Sequence, residues 1–236
     1  LEPLMHDAAP RILDAASIIL TEGIGTGARI LMGLRQPNNI FLPDKWVFPG
    51  GRVEASDREI GCTDCLTPHD EASLMHGMDG GLDASWATTV ALAAIRELFE
   101  ETGVALGIAA RDGDTLDDVW PEFRARRLRP RLASLTMVAR AITPPGRPRR
   151  YDTRFFLANR HDTFGEPGKG DGEFADLRWF TIAEAMDLDL PEITRVILGD
   201  VELRIENPSA PACSGVPFYY EQDGRFRRDL IRPEGG

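Results

Sequence analysis

Three glutamates near the middle of the chain, Glu97, Glu100 and Glu101, have the chemical type and the spacing to bind a metal ion. On an α-helix, positions i, i+3 and i+4 lie within one narrow sector of the surface. Three carboxylates crowded there repel one another, and a hard divalent cation with oxygen ligands would offset that repulsion. The competing interpretation is a solvated acidic face, which is what most charged helix faces are.

Apolar residues recur around these glutamates at helical spacing. Leu92, Ile95 and Phe99 fall at i, i+3 and i+7, which is typical of the buried stripe of an amphipathic helix. Gly103 stands where a helix commonly ends. The pattern therefore predicts a helix over residues 91–104, with the glutamates on its polar side near its C-terminal end.

A short strand that runs into a glycine turn precedes this helix. The stretch 46–51 ends in Gly50 and Gly51. Glycine lets a backbone come close to a bound group, and backbone N–H groups favour anions such as phosphate. We expect this turn and the glutamates to form one site.

The glycine turn and the helix together resemble the Nudix box. That signature is a glycine, five residues, a glutamate, seven residues, and then Arg-Glu-apolar-x-Glu-Glu-x-Gly-apolar, and residues 96–104 match its second half at every defined position. The first half departs from this signature, because the residue that follows Gly51 after a gap of five is Asp57 instead of a glutamate. Thirty-eight residues separate Asp57 from Arg96 instead of seven, so an insertion of thirty-one splits the box.

The resemblance covers about residues 15–190 and implies an α/β fold. The expected architecture is a Nudix-type α/β/α sandwich with a mixed, curved sheet, in a single domain over residues 1–236. Residues 58–85 are the insertion within the box, and residues 191–236 are a C-terminal helix and tail. We also expect strands at 15–20, 28–34, 135–142 and 152–158.

The chemistry that the resemblance implies is hydrolysis of a nucleoside diphosphate linked to another moiety. Mg²⁺, or Mn²⁺ in its place, would be held by Glu97, Glu100 and Glu101 and would neutralise phosphate oxygens. Arg96 would orient the glycine turn, and the backbone of Gly50 and Gly51 would complete a metal or phosphate contact.

One further carboxylate must take a proton from the attacking water. By family analogy this general base is Glu101 itself or an acid in the loop before a late strand. Glu173 is the closest match in that loop, with Asp171 and Asp176 as rivals. An ordinary loop acid is an equally good interpretation of each.

A second stretch, residues 142–158, resembles a subgroup of the family, the long-insert proteins similar to coenzyme A diphosphatases. It suggests coenzyme A or acyl-CoA as substrate, with ADP-ribose, NADH or nucleotide sugars as alternatives. An alternative hypothesis, from a different functional class, is a non-catalytic Nudix-like ligand sensor. Such sensors usually lack one or more box glutamates, and all three are present here.

Ten arginines fall between Arg124 and Arg154 in an otherwise acidic chain. They predict either a basic rim for an anionic substrate or pairing with acidic neighbours. Arg150 in this stretch, and Arg35 at the start of the loop before the glycine turn, are the candidate substrate contacts.

The insertion is rich in polar residues and raises a second metal hypothesis. A Cys-x-x-Cys pair with two nearby histidines could bind zinc; the four residues are Cys62, Cys65, His69 and His76. Their spacing matches no common zinc module, so a mobile surface insertion is the preferred interpretation.

Asp83 or Ser85 is a suitable N-cap for the helix that follows the insertion.

Composition limits the remaining function classes. The chain has 236 residues, 42% of them hydrophobic, which suits one domain. A net charge of −11 argues against a nucleic-acid partner, and no apolar run predicts a membrane span or a signal peptide. Three cysteines indicate a reducing, cytoplasmic location. Members of the family are often dimers, so the resemblance is compatible with a homodimer in which the tail within residues 191–236 takes part.

Overall fold

A large mixed sheet lies between helices on both of its faces in the computed structural model, which describes residues 10–77, 83–168, 170–206 and 215–233. The strands are β1 (Ile12–Glu22), β2 (Arg29–Arg35), β3 (Trp46–Val47), β4 (Gly50–Arg52), β5 (Ala105–Ala109), β6 (Leu128–Pro130), β7 (Thr136–Ile142), β8 (Arg150–Asn159), β9 (Thr163–Phe164), β10 (Phe174–Thr181), β11 (Val216–Gln222) and β12 (Arg225–Ile231). The α-helices are α1 (Pro68–Met75), α2 (Ala84–Thr102), α3 (Pro121–Ala125), α4 (Ile182–Met186) and α5 (Glu192–Glu206).

The strand order of the large sheet is β10-β2-β1-β8-β7-β11-β12. β1 runs parallel to β8 and β11 runs parallel to β7, whereas the other pairs are antiparallel. A second, smaller sheet has the order β6-β5-β9. The predicted mixed sheet is therefore confirmed.

Alternating side chains of the central strand bury two separate apolar clusters. Ile18 and Leu20 of β1 pack in one cluster with α2, and Ile19 packs in the other with α5. Because successive side chains of a strand point to opposite faces, a run of apolar residues is buried on both sides. This arrangement confirms the predicted α/β/α sandwich.

The helix that carries the glutamates begins after one of its two predicted N-cap residues. α2 starts at Ala84, and its N-cap is Asp83, whose side chain accepts a hydrogen bond from the Ser85 N–H at 3.0 Å. One of the two predicted N-caps, Asp83, is therefore confirmed, and Trp86 and Val90 extend the buried stripe of residues 91–104 toward the N-terminus. The predicted end is confirmed: Gly103 is the C-cap, with a φ of 74°.

The two strands β1 and β2 separate beyond their shared turn, and the glycine turn enters the gap. β1 pairs with β2 only at Thr21 and Glu22, and β4 then takes over as the partner of β1 at 15–17. β3 pairs with β2 on the other side of the gap. Gly50 and Gly51 are thereby wedged into the sheet opposite α2.

The insertion is packed against the domain in its described part, so the prediction of a mobile surface segment is wrong there. Leu66 and Leu74 are buried in the α2 cluster. Asp70 accepts a hydrogen bond from the backbone N–H of Met137 at 2.8 Å. Asp64 accepts two more from the turn before β7. The two buried leucines, and the two aspartates that accept hydrogen bonds from backbone N–H groups, hold this segment in place.

The zinc hypothesis for the insertion gains no support. Cys62 and Cys65 are free thiols, and burial raises the pKa of Cys62. Across residues 10–77, 83–168, 170–206 and 215–233, no three His, Cys, Asp or Glu side chains are gathered so that they could hold a metal ion.

The tail adds two strands to the sheet. β11 and β12 form a hairpin that lies beside β7, where the sequence predicted only a helix and a tail. The C-terminal helix itself is confirmed as α5. Within the described ranges, no helix has the length and apolar character needed to cross a bilayer.

Candidate active site

Arg96 of α2 is the centre of the candidate site, and Asp57 is its deepest partner. The Arg96 Nε–Asp57 Oδ1 distance is 2.7 Å and the Nη2–Oδ2 distance is 3.1 Å, and Asp57 has no exposed surface. Asp57 lies in a short 3₁₀ turn, Ala55–Glu59, and its Oδ2 also accepts from the Glu54 N–H. The insertion begins after Asp57, and the chain returns to α2 so that Asp57 and Arg96 form a buried ion pair.

The other side of the Arg96 guanidinium faces two of the predicted metal ligands. Its Nη1 donates to Glu97 Oε1 at 2.8 Å and to Glu100 Oε2 at 2.9 Å, and its Nη2 donates to the Arg52 carbonyl at 3.0 Å. Burial alone lowers the pKa of Arg96, but the bond to Asp57 and the charge of Glu97 raise it above its ordinary value. Arg96 thus links the helix to the strand that carries the glycine turn.

Glu101 joins the helix to the glycine turn directly. Its Oε2 accepts a hydrogen bond from the Gly50 N–H at 2.8 Å. Its Oε1 is buried and has no hydrogen-bond partner among the described residues. Burial raises the pKa of Glu101 well above its ordinary value, and the charges of Glu173 and Glu97 raise it further. A buried carboxylate oxygen without a donor is suited to a cation.

Glu97 lies against Gly51, and this contact explains why a glycine is needed there. A Cβ on residue 51 would overlap the Glu97 carboxylate. Burial raises the pKa of Glu97 to about 7, against the lowering effect of Arg96, and the charges of Glu100 and Glu173 act in the same direction as burial. Any residue larger than glycine would displace the carboxylate from the turn.

Ser17 of β1 holds the glycine turn in place, and sequence reasoning missed it. The Ser17 hydroxyl donates to the Pro49 carbonyl at 2.7 Å, and the Ile18 N–H donates to the same oxygen at 2.9 Å. Gly50 is also the direct strand partner of Ser17. One polar residue within a buried apolar strand was the available signal.

Glu173 approaches the same site from the loop before β10. Its carboxylate forms an ion pair with Arg35 at the end of β2. The charge of Glu173 raises the pKa of both Glu97 and Glu101, so the three carboxylates share one electrostatic environment. The structure therefore brings the predicted Arg35 and Glu173 together beside the glutamates.

The rival loop acids are engaged elsewhere. Asp171 Oδ1 accepts from the Glu173 N–H at 3.0 Å. Asp176 pairs with Arg178 at 2.5 Å and accepts from the Leu177 N–H. Both side chains are committed to their own loop or strand, which leaves Glu173 as the loop acid that faces the site.

Arg150 is not brought into the glutamate cluster. It lies at the first position of β8, and its Nε donates to the Thr143 carbonyl at 2.9 Å. Most of the arginine-rich stretch pairs with acidic neighbours, as one of the two interpretations predicted. These pairs are Arg124–Asp117, Arg127–Asp112, Arg129–Asp118, Arg131–Asp162, Arg140–Asp152 and Arg154–Asp14.

The donor chemistry of the site fits a hard divalent cation. Three carboxylates on one helix supply oxygen ligands, and the buried Glu101 Oε1 is not yet satisfied. In the present rotamers Glu97 and Glu100 point to Arg96, and the part of the chain that the structure describes holds no ready-made cluster of three ligands. The predicted ligand set is thus present in type and position, and its role as ligands stays a prediction.

Comparison with known proteins places the chain in a family. The family model described as the NUDIX domain matches residues 74–200, which is more than half of the chain, so the chain belongs to the NUDIX domain family. This result confirms the fold class and the predicted Nudix family. The match begins within the insertion, so it includes α2 but not Gly51.

Two individual proteins illustrate the relationship. A Caenorhabditis elegans protein classed as nudix hydrolase 7 is 29% identical over 186 residues, which are 73% of this chain and 52% of the relative. The chain thus spans about half the length of that relative. The crystal structure of a NUDIX hydrolase from Alicyclobacillus acidocaldarius is 27% identical, with a TM-score of 0.59 over 81% of this chain and 91% of that one. Neither relative specifies the coenzyme A subgroup.

Proposed function

We propose that this protein is a metal-dependent diphosphohydrolase that cleaves the diphosphate bond of a nucleoside diphosphate linked to another moiety. The observation that carries the proposal is the contact between the glycine turn and α2. Gly50 donates to one oxygen of Glu101 and leaves the other oxygen buried without a partner, while Gly51 lies against Glu97. A group of carboxylates that can bind a cation, beside a glycine turn, suits a diphosphate substrate.

Each residue of the proposed site has a separate task. Glu97, Glu100 and Glu101 would hold Mg²⁺ or Mn²⁺, which when bound neutralises the charge of diphosphate oxygens. Arg96 holds Glu97 and Glu100 in place and ties them to the strand through Arg52. Arg35 supplies a guanidinium suited to a phosphate.

Glu173 is the proposed general base, with Glu101 as the alternative. Support for Glu173 comes from its ion pair with Arg35 and from its electrostatic effect on Glu97 and Glu101. When a substrate phosphate binds Arg35, the Glu173 carboxylate loses its ion-pair partner and is able to accept a proton from water. Glu101 is less suitable because its Oε2 is already occupied by the Gly50 N–H.

Coenzyme A and its acyl derivatives are the first substrates that we propose within this class. The support is the resemblance of residues 142–158 to long-insert proteins similar to coenzyme A diphosphatases. Arg147 and Arg149 lie exposed between β7 and β8, where a 3′-phosphate would find cationic partners. ADP-ribose, NADH and nucleotide sugars share the scissile bond and are the alternatives.

A substrate panel tests the proposal. Hydrolysis of CoA, acetyl-CoA, ADP-ribose, NADH and ADP-glucose is measured with Mg²⁺ for wild type, Glu100→Gln and the control Glu202→Gln, which alters a glutamate on α5. We expect turnover of at least one compound, lost by roughly 10²–10⁴ in Glu100→Gln and kept in the control. Preferential release of 3′,5′-ADP from CoA supports the finer substrate assignment.

The panel also distinguishes the non-catalytic sensor. A sensor would bind one of these compounds by calorimetry, with no turnover in wild type and with a binding response that persists in Glu100→Gln. That combination would overturn the proposed hydrolase.

A further inference from the structure

The loop before β10, described at residues 165–168 and 170–173, is attached to the end of α2 by backbone contacts. The Gly168 N–H donates to the Thr102 carbonyl at 2.8 Å, and the Asp171 N–H donates to the Glu100 carbonyl at 2.7 Å. The last carbonyls of a helix have no partner within the helix, so an external donor satisfies them. The loop therefore caps the turn of α2 that carries the glutamates.

Gly170 lets this loop come close to the helix. A Cβ on residue 170 would overlap the Glu101 carbonyl, and the φ of Gly170 is 46°. Both features favour glycine over any other residue. The contact is thus a tight one, made at the backbone of the same residue whose side chain binds Gly50.

The Asp171 side chain then continues the connection to Glu173. Its Oδ1 accepts from the Glu173 N–H at 3.0 Å, while its own N–H is bonded to Glu100. On the far side, the Glu173 carbonyl accepts from the Gln36 N–H at 3.3 Å and from Asn39 at 3.4 Å. Residue 171 is the one that joins the helix end to the backbone of Glu173.

We propose that Asp171 is a positioning residue, which holds Glu173 at a fixed place relative to Glu100 and Glu101 of α2. The catalytic consequence rests on the proposed function, because it requires Glu173 to act on water beside the glutamates. Asp171 does not touch substrate in this assignment, and its acceptor oxygen, rather than its charge, is the required feature. A shift of about 1 Å in a reacting group costs on the order of 10²-fold in rate.

The variants Asp171→Ala and Asp171→Asn separate these requirements, and Asp176→Ala, which removes a nearby acid in β10, is the matched control. Asp171→Ala removes the acceptor, whereas Asp171→Asn keeps an oxygen at the same position. We expect kcat to fall by about 10- to 100-fold in Asp171→Ala with KM within about threefold of wild type. Asp171→Asn and Asp176→Ala should retain most of the wild-type kcat.

Amide hydrogen exchange at Glu173 gives a readout that does not depend on turnover. The Glu173 N–H should lose protection in Asp171→Ala and keep it in Asp171→Asn. Loss of protection with unchanged kcat overturns the positioning role, and equal losses of kcat in both variants overturn the importance of the acceptor oxygen. Unchanged protection in Asp171→Ala overturns the attachment itself.

The two proposals fail in different ways. A wild-type protein without turnover on the substrate panel overturns the proposed function and the catalytic consequence of Asp171. The exchange measurement still supports or overturns the attachment of Glu173 to α2 in that case.

Discussion

The two ends of α2 both bury arginines among carboxylates, but the balance of charge differs. At the C-terminal end, Arg96 faces Asp57, Glu97 and Glu100, and Glu101 lies one position further along the helix. At the N-terminal end, Trp86 lies under the guanidinium of Arg154. That end contains two arginines and two aspartates: Arg140, Arg154, Asp14 and Asp152.

The N-terminal group has the features of a structural network. Arg140 contacts both Asp152 oxygens, at 2.9 and 2.6 Å, and Arg154, which has no exposed surface, contacts Asp14 at 2.6 Å. Burial lowers the pKa of Arg154, and the charges of Asp152 and Asp14 oppose that effect. Aromatic rings cover both guanidiniums, since Arg140 lies over Phe218 at 4.5 Å. Matched charges and apolar cover leave little for a ligand to add.

The C-terminal group has an excess of negative charge that the protein does not offset. Burial raises the pKa of Glu97 to about 7 and is also the main reason that the pKa of Glu101 lies well above its ordinary value. One oxygen of Glu101 lacks a donor among the described residues. The comparison teaches that buried arginine and carboxylate groups alone do not indicate a site, whereas a buried excess of negative charge does.

Glu101→Gln should have the largest effect on activity and a favourable or negligible effect on stability. The amide keeps an oxygen for the Gly50 N–H but loses the charge that a cation requires. We expect kcat to fall by roughly 10²–10⁴, and the metal-free protein to melt at the same or a higher temperature. Steady-state kinetics and thermal melts check both. A variant that unfolds while its folded fraction keeps full activity would show that the two ends of α2 serve the same structural purpose.

Asp152→Ala should have the opposite profile. It leaves Arg140 and Arg154 buried with one aspartate fewer, which costs about 3–5 kcal/mol in the free energy of unfolding. Urea unfolding measures that cost. The kcat of the folded protein should stay within about twofold of wild type, because the ion pairs of Asp152 in the described chain are with Arg140 and Arg154 and not with the proposed site. A loss below about 1 kcal/mol would contradict a structural role for this network.

Local patterns in the sequence predicted the group of carboxylates at the C-terminal end of α2, but not the network of arginines and aspartates at its N-terminal end. Glu97, Glu100 and Glu101 stand on one helix, so helical periodicity places them together. Asp57 could be named as the stand-in for the box glutamate, but its pairing with Arg96 depends on where an insertion of thirty-one residues leaves and returns. No local pattern contains that information.

Two further features, the network of Arg140 and Asp152 and the hairpin of β11 and β12, were not predicted, for different reasons. The network of Arg140 and Asp152 joins two strands to α2 and the C-terminal hairpin, and only the sheet order brings them together. The hairpin of β11 and β12 did carry a signal, because Asp223 and Gly224 form the Asp-Gly turn that two-residue hairpins favour. Its place beside β7 is a tertiary property that the turn does not predict.

The pH dependence of stability should also differ between the two ends. A carboxylate whose pKa is raised on folding contributes stability that is present below the unfolded value of 4.5 and is lost as the pH rises through the folded value of about 7. The metal-free protein should therefore lose up to about 3 kcal/mol through Glu97 between these pH values. Urea unfolding in chelator at pH 5 and pH 8 measures the loss.

Glu97→Gln is the matched variant for that measurement. It should remove the part of the loss that comes from Glu97 and leave the part that comes from Glu101. Asp152→Ala should lower stability by a similar amount at both pH values, because its partners are guanidiniums that stay charged. A stability that is flat or rises with pH in the wild-type, metal-free protein would contradict the assignment of strained buried carboxylates to this end of α2.

Arg124→Ala should have the smallest effect and separates buried arginines from exposed ones. Arg124 pairs with Asp117 at 3.5 Å, and both side chains are largely exposed. Such surface pairs contribute about 0–1 kcal/mol, so the free energy of unfolding should change by less than about 1 kcal/mol. KM for the diphosphate substrate should also stay unchanged. A rise in KM at constant stability would instead place Arg124 in a basic rim that the substrate contacts, and would extend the functional end of α2 beyond its carboxylates.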